Sequence, residues 1–494
     1  MPARARNEKL SAMIRRSRLR SLPLGLVALL ATGALAMAWP AAPGGPGERE
    51  DQPFPAGVVV PEVLEKADPS QTFSLYLPSN YSPATRWPVI YAFDPAGRGK
   101  VPVELLSPIA EKRGYILLGS NSSRNGPARE ALAAALALWQ DSRARFAIDP
   151  HQSYTTGFSG AARNAFVFAD QCGCVQGVIA AGGGLPPLAG PLRSLSYGVF
   201  LTVGTYDFNY PELVTLEQEL DSIHVPNRLR RFEGEHQWPA ADVMAGAVDW
   251  LGLKAMQENR RPIEEARIAE SRARALERAK ADEQAGDLLS AYEEYRKSAE
   301  DFQGLADSAE FANRAAGMKN SPELRKAEKQ EQEDMARQHR MVEGIEQQLT
   351  SLTSGSNQLG PRLSDIIPAV AEVRDAAKHA KSARDVRVTR RAVGELFATA
   401  YEAGEGRLAR GDARAAELYF QVAGEVAPEA ASPQFELAKV YVKLGDKKRA
   451  LHALELAVTK GLKNPSLLRD SPELAPLREE PRFQELVSQL EGKQ

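Results

Sequence analysis

Short apolar segments alternate with amphipathic helical stretches between residues 58 and 256, and this alternation constrains the fold more than any other feature. Seven segments are predicted as strands: Phe73–Leu77, Pro88–Phe93, Tyr115–Gly119, Ser153–Phe158, Gly177–Ala181, Val199–Gly204 and Arg228–Phe232. Four helices are predicted around them: Pro127–Arg145, Ala161–Gln171, Pro211–Ile223 and Pro239–Met256. Uninterrupted apolar strands such as VIYAF are typical of strands covered on both faces. The alternation therefore predicts an open, mostly parallel α/β sheet with helices on both faces.

The residue composition of the chain changes after Gln257. Strand-like segments stop, and Ala, Glu, Arg, Lys and Gln dominate the remainder. Residues 257–390 are predicted as a charged helical region, with a polar break at Ser351–Gly360. Such a stretch is usually a solvated surface or a spacer, which we favour over a dedicated coiled-coil partner site. The prediction is thus an α/β domain at 58–256 followed by an all-α region.

The last hundred residues contain an internal repeat with a period of 34. Gly411-Asp412 recurs as Gly445-Asp446. The same spacing relates Gly404 to Ala438, Leu408 to Val442, Ala416 to Ala450, Phe420 to Leu454 and Ala423 to Ala457. Residues 391–494 therefore resemble the tetratricopeptide-repeat family, with Pro481–Leu490 as a capping helix. The resemblance implies a protein partner for this tail. The alternative, that these helices only complete a compact tail, stays open.

A third Gly-Asp pair, Gly286-Asp287, lies far upstream of the repeat. It precedes Ala291 and Tyr295 in the same pattern as the later copies. Because it is not in register with them, it predicts a separate pair of helices.

The first forty residues have the pattern of an export leader. Seven basic residues and a single acid occupy the first twenty positions, and the uncharged segment Leu22–Trp39 follows over 18 residues. This pattern predicts a signal peptide cleaved near Ala36-Met37-Ala38, or an uncleaved signal anchor. Residues 41–57 are predicted as a flexible linker. Both alternatives place the rest of the chain outside the cytoplasm, in the periplasm, cell envelope or medium, with membrane attachment only for the anchor.

Composition excludes several classes of protein. The formal net charge of −2 gives no electrostatic case for binding nucleic acid. Two cysteines exclude a disulfide scaffold and a four-cysteine zinc site. No metal or cofactor motif is found, so neither a metal nor a cofactor is expected. Cys172 and Cys174 are predicted as a buried pair of free thiols, in preference to a strained disulfide.

The segment Gly157-Phe158-Ser159-Gly160-Ala161 has the pattern of a nucleophile elbow. It follows a predicted strand and opens a predicted helix, which is the context that this motif requires. An acid and a histidine should follow the serine along the chain. Asp207 and His236 both come directly after predicted strands, whereas His224 comes before one. Ser159, His236 and Asp207 are therefore predicted as nucleophile, general base and orienting acid.

Two loops are predicted to complete this site. The backbone N–H of Gly160 is expected as one donor to an oxyanion, and that of Ala96 or Gly97 as the other, because Pro95 has none. Asn121 and Arg124 are candidates for lining the substrate pocket. An ordinary polar loop is an equal alternative for that segment.

Residues 58–256 resemble the α/β-hydrolase superfamily, and within it secreted esterases of the polyhydroxybutyrate-depolymerase and feruloyl-esterase type. The segments that carry the resemblance are SLYLPSNY, WPVIYAF, GFSGA, GTYD and GEHQWP. Asp94-Pro95 and Ala161 depart from the family's pattern. The resemblance implies hydrolysis of an ester substrate through an acyl-enzyme, without a cofactor. The alternative is a non-catalytic envelope scaffold with a hydrolase-like fold.

Overall fold

The computed structural model describes residues 54–186, 192, 195–353 and 362–492. The predicted leader, most of the predicted linker and most of the polar break at Ser351–Gly360 lie outside these residues. Within them, no helix combines the length and the apolar character that crossing a membrane requires.

Eight strands form one sheet in the order β1-β2-β4-β3-β5-β6-β7-β8. They are β1 (Val59–Leu64), β2 (Thr72–Tyr76), β3 (Trp87–Phe93), β4 (Ile116–Ser120), β5 (Ile148–Phe158), β6 (Val175–Ala181), β7 (Gly198–Gly204) and β8 (Asn227–Phe232). β3 to β8 pair in parallel, whereas β1 and β2 run antiparallel to their neighbours. The prediction of a mostly parallel sheet is confirmed.

Five helices cover the two faces of the sheet: α1 (Lys100–Arg113), α2 (Ala128–Arg145), α3 (Gly160–Cys172), α4 (Tyr210–Ser222) and α5 (Ala241–Gln257). α2, α3 and α4 bury their apolar sides in one core, which includes Leu138 and Phe166. α1 and α5 pack into a second core on the other face, which includes Leu106 and Met244. Burial on both faces accounts for the nearly continuous apolar composition of the central strands.

Further helices follow without any strand in the described residues: α6 (Glu265–Gln284), α7 (Leu288–Asp301), α8 (Ala309–Met318), α9 (Pro322–Thr353), α10 (Leu363–Lys378), α11 (Ala383–Ala409), α12 (Ala413–Val426), α13 (Ser432–Lys443), α14 (Lys447–Thr459), α15 (Ser466–Asp470) and α16 (Pro481–Glu491). The chain forms two compact units that divide between residues 335 and 336. The sheet and α6 to α8 belong to the earlier unit, so this division falls later than the change in composition at Gln257.

The Gly-Asp pairs form the same helical turn three times. Gly286, Gly411 and Gly445 have φ angles of 77°, 83° and 78°, a left-handed conformation that favours glycine. Each following aspartate caps the next helix by accepting a hydrogen bond from a backbone N–H three residues on, at 3.1, 3.2 and 2.9 Å. The 34-residue period therefore corresponds to two helical hairpins, α11–α12 and α13–α14, and the upstream copy to a third, α6–α7.

The predicted capping helix at Pro481–Leu490 is present as α16. Its buried side chains Phe483, Leu486 and Leu490 share one hydrophobic core with Phe420 and Leu454 of the repeat. The apolar side of α16 thus helps to close that core within the later unit.

The prediction of free thiols at Cys172 and Cys174 is wrong, because the two sulfurs are joined in a disulfide. The pair lies at the end of α3, where Gly173 adopts φ 59° and brings the two side chains together. Glycine makes this turn at little steric cost, a local effect that the short spacing of the two cysteines does not reveal.

Glu65, next to the end of β1, predicts a pH-dependent loss of stability. Both of its carboxyl oxygens are buried without a hydrogen-bond partner among the described residues. Burial, with smaller effects of Asp141 and Asp68, raises the pKa of Glu65 from 4.5 to about 7. The folded state therefore holds a proton that the unfolded state releases above pH 4.5, so stability falls as the pH rises towards 7. Glu65→Gln should remove up to about 3 kcal/mol of this loss.

Urea unfolding at acidic and at mildly alkaline pH measures the effect. Glu62→Gln is the matched control, because Glu62 lies nearby on β1 with an exposed side chain. We expect the stability of Glu65→Gln to depend less on pH than that of wild type and of the control. An unchanged pH dependence would show that Glu65 is ionised in the folded protein.

Candidate active site

Ser159 lies in a strained turn between β5 and α3. Its φ of 55° and ψ of −128° place it outside the regions that non-glycine residues normally occupy. The Ser159 N–H donates a hydrogen bond to the carbonyl of Ala181 at the end of β6, at 2.8 Å. Strain of this kind persists only where surrounding contacts enforce it, and it is concentrated at functional sites. GFSGA therefore forms a sharp turn between a strand and a helix.

The glycines on either side of the serine lie in close contacts, with backbone at Gly157 and with a side chain at Gly160. A Cβ on Gly157 would lie 2.3 Å from the carbonyl oxygen of Ala161, and one on Gly160 would lie 2.3 Å from the side-chain oxygen of Asn125. Ala161 itself is fully buried without such a conflict. The departure from glycine at position 161 is therefore compatible with the elbow.

His236 connects the serine to a buried carboxylate. Its Nε2 lies 2.8 Å from Ser159 Oγ, and its Nδ1 lies 2.9 and 3.0 Å from the two carboxyl oxygens of Asp207. Asp207 follows β7, His236 follows β8, and Ser159 follows β5, so parallel strands bring all three to one edge of the sheet. His236 thus lies within hydrogen-bonding distance of both of the other residues that the sequence singled out.

The orientation of the histidine is supported from several sides. The Asp207 carboxylate, which has no exposed surface, also accepts a hydrogen bond from the Asn209 N–H at 2.8 Å. The rings of Phe158 and Phe208 lie against the imidazole, with centroid distances of 4.6 and 4.3 Å. These contacts limit the positions that the His236 ring can take.

The glycine-rich segment 182–184 follows β6 and packs behind the site. A Cβ on Gly182 would lie 3.0 Å from Asp207 Oδ2 and 3.3 Å from the His236 ring. A Cβ on Gly183 would lie 2.3 Å from the Ser159 carbonyl oxygen. The absence of side chains at these two positions allows the loop to approach the serine, the histidine and the aspartate together.

The donors expected for an oxyanion differ in their availability. Gly160 begins α3, so its N–H lies in the first turn, where backbone donors have no partner within the helix. The Ala96 N–H donates to the Asp94 carboxylate and the Gly97 N–H to the Asp94 carbonyl, both at 2.9 Å. Either residue would have to exchange this hydrogen bond to serve an oxyanion, and the second donor stays a prediction.

Asp94 connects the loop of residues 94–97 to the segment that carries His236 and Trp238. Its fully buried carboxylate accepts hydrogen bonds from Arg98 at 2.8 and 3.0 Å and from the Trp238 indole at 3.0 Å. Burial raises the pKa of Asp94, but the bonds from Arg98, Trp238 and Ala96 outweigh it and keep the pKa below its usual value. In the sequence, Asp94 stands out only as a departure from the family's pattern, and this positioning contact with Trp238 could not be predicted from it.

In the polar loop after β4, Asn125 packs against the elbow at Gly160, whereas Asn121 contacts β1 and β2. The Asn121 side chain donates to the Pro61 carbonyl and to Thr72 Oγ1, at 3.2 and 3.1 Å, so it is committed to β1 and β2. The place of Asn121 in a substrate pocket stays a prediction. Asn125 packs on Gly160 instead, and its N–H bonds the Pro95 carbonyl at 2.8 Å. The exposed Arg124 lies beside Gly97 and stays a candidate for contacting substrate.

A metal site is not formed by the described residues, in which no three His, Cys, Asp or Glu side chains are grouped to hold an ion.

Comparisons with known proteins give distant structural likenesses. No protein-family model and no curated protein matches the chain. The fluorophosphonate-binding serine hydrolase F of Staphylococcus aureus is 12% identical with a TM-score of 0.33, covering 40% of this chain and 99% of its own. Est1E from Butyrivibrio proteoclasticus is 12% identical with a TM-score of 0.32, covering 40% and 100%. A ferulic acid esterase is 15% identical with a TM-score of 0.31, covering 39% and 94%. Likeness at this level carries no argument about activity, which has to be inferred from the geometry around Ser159.

Proposed function

We propose that the protein is an exported serine hydrolase of the α/β-hydrolase type that cleaves carboxylic esters. The observation that carries the proposal is His236, which lies within hydrogen-bonding distance of Ser159 Oγ and of the buried Asp207 carboxylate at the same time. A serine hydroxyl is a poor nucleophile at neutral pH unless a neighbouring base accepts its proton. The three side chains supply the nucleophile, that base and its orienting acid.

In the proposed reaction, Ser159 Oγ attacks the ester carbonyl while its proton passes to His236 Nε2. The imidazolium that forms is stabilised by Asp207 through Nδ1–H, and the Gly160 N–H donates to the oxyanion of the tetrahedral intermediate. His236 then gives its proton to the leaving alcohol, and the acyl group stays on Ser159. A water molecule, deprotonated by His236, attacks the acyl-enzyme, and the carboxylic acid leaves as Ser159 regains its proton.

Export and partner binding are parts of the same proposal. The basic and apolar pattern of residues 1–40 supports export, and the Cys172–Cys174 disulfide fits an oxidising compartment. The hairpins α11–α12 and α13–α14, with their identical Gly-Asp turns, support a tetratricopeptide-type tail that binds a protein segment.

Labelling with a fluorophosphonate probe tests the proposal directly. Such probes phosphonylate serines that a neighbouring base activates, so we expect one label per chain in the wild type and none in Ser159→Ala. Ser107→Ala, which changes a partly exposed serine on α1, should label like the wild type. If the wild type does not label and does not hydrolyse short p-nitrophenyl esters, the non-catalytic scaffold becomes the better account.

A further inference from the structure

Residues 182–185, which follow β6 at the proposed active site, belong to no helix or strand. The three glycines at 182–184 are buried, although they contribute no side chains to a core. A segment without side chains makes few contacts that define its position, and glycine adds to the freedom of its backbone. Its close approach to the Ser159 carbonyl therefore has to be enforced from outside the segment.

Glu212, in the first turn of α4, binds this segment through its backbone. One carboxyl oxygen of Glu212 accepts a hydrogen bond from the Gly184 N–H at 3.1 Å. The approach is so close that a Cβ on Gly184 would lie 2.7 Å from the same oxygen. The glycine at position 184 thus leaves space for the carboxylate beside the backbone.

Arg163, near the start of α3, completes the contact. Its guanidinium donates two hydrogen bonds to the Glu212 carboxylate, at 2.6 and 3.0 Å. It also donates to the carbonyl oxygens of Leu185 at 3.2 Å and of Gly184 at 3.4 Å. Pairing through two parallel hydrogen bonds fixes the orientation of both side chains as well as their distance. The ion pair therefore joins α3, α4 and residues 182–185.

The position of this segment affects both the proposed nucleophile and its acid. Gly183 lies against the Ser159 carbonyl, and the Gly182 carbonyl accepts a hydrogen bond from the Asn209 side chain at 2.7 Å. Asn209 also binds the Asp207 carboxylate through its N–H. The strained backbone of Ser159 persists only because surrounding contacts enforce it. A displaced segment would therefore relax the serine and disturb the loop of the aspartate.

We propose that Arg163 and Glu212 are positioning residues, whose ion pair holds residues 182–185 against the turn of Ser159. The inference rests on the proposed function. Neither side chain takes part in the chemistry, because each acts through the backbone that it binds. The pair keeps the Ser159 hydroxyl where His236 can take its proton. A misplacement of about 1 Å can cost about 100-fold in rate, so loss of the pair should be visible in kcat.

Steady-state kinetics of Arg163→Ala and Glu212→Ala test the inference, with the full-length protein and a short p-nitrophenyl ester. We expect each variant to lower kcat by about 10- to 100-fold, with KM within about twofold of the wild type. The double variant should lose little more than the worse single variant, because residues that act as one unit are not additive. Unchanged kcat, or a double-variant loss equal to the product of the single losses, would overturn the inference.

Two further variants separate positioning from a general effect on stability. Arg163→Lys keeps the charge that pairs with Glu212 but offers one nitrogen instead of a rigid fork, so its kcat should lie between those of Arg163→Ala and the wild type. Arg314→Ala is the matched control, because Arg314 pairs with Glu283 between α8 and α6 of the same compact unit. Its kcat should equal that of the wild type. Equal losses in Arg163→Ala and the control would contradict a positioning role.

Hydrogen exchange measured by mass spectrometry gives a readout that does not depend on catalysis. In Arg163→Ala, the amides of residues 182–185 should exchange about tenfold faster than in the wild type, the usual effect of losing one hydrogen bond. The Arg314→Ala control should exchange them at the wild-type rate. Unchanged exchange in Arg163→Ala would overturn the inference even if the wild type is an active esterase. An inactive wild type with faster exchange in the variant would instead remove the proposed function and leave the ion pair as the group that holds this segment.

Discussion

Ser159→Ala is expected to lower kcat for a short p-nitrophenyl ester by about 10⁴- to 10⁶-fold, because the variant has no oxygen to form the acyl-enzyme. KM should change little, since the alanine removes only one oxygen atom and leaves the pocket in place. Steady-state kinetics with the purified full-length protein measure both constants. Retention of more than about a tenth of the wild-type kcat would show that another group is the nucleophile.

Structural damage can be separated from this chemical effect. Ser159 has a positive φ that alanine must adopt as well, so the backbone strain is the same in both proteins. The melting temperature of Ser159→Ala should therefore stay close to that of the wild type. A large fall in melting temperature would mean that the lost activity reports on folding instead of chemistry.

Asp207→Asn is expected to lower kcat by about 10⁴-fold while leaving the fold intact. The amide is nearly the same size as the carboxylate, but it cannot stabilise the imidazolium, and its NH₂ group can hold His236 in the wrong tautomer. The loss should be smallest at high pH, where proton transfer to the imidazole is least demanding. A pH–rate profile of variant and wild type measures this.

Asp94→Asn is the matched control for that experiment. Asp94 is equally buried and also follows a strand, but it contacts Arg98 and Trp238 instead of His236. We expect a much smaller effect on kcat than for Asp207→Asn. Equal losses in the two variants would indicate that the acid was assigned to the wrong aspartate.

The sheet could be predicted largely from the sequence because its central strands are apolar without interruption. All seven predicted strands are present, and their ends differ by a few residues. β1 was missed because Pro61, Glu62 and an exposed Leu64 hide its pattern, as expected for an edge strand. α1 was missed because Pro102 and Pro108 disguise the helical periodicity of its segment.

The proposed catalytic residues could be predicted because each comes directly after a strand, and parallel strands carry such positions to one edge of the sheet. Asn125 and Asp94 could not be assigned, because their roles depend on contacts between loops far apart in the chain. Asn125 packs on Gly160 and Asp94 bonds Trp238. The spacing within one segment contains no signal for either contact.

Detection of the acyl-enzyme itself tests the central claim most directly. The full-length protein is mixed with p-nitrophenyl acetate, quenched in acid during turnover, digested, and analysed by mass spectrometry, with His236→Ala as a parallel sample. The account predicts an acetyl group on Ser159 of the wild type and none on that residue in the variant. Turnover with Ser159 unmodified, or acetylation confined to another residue, would contradict it.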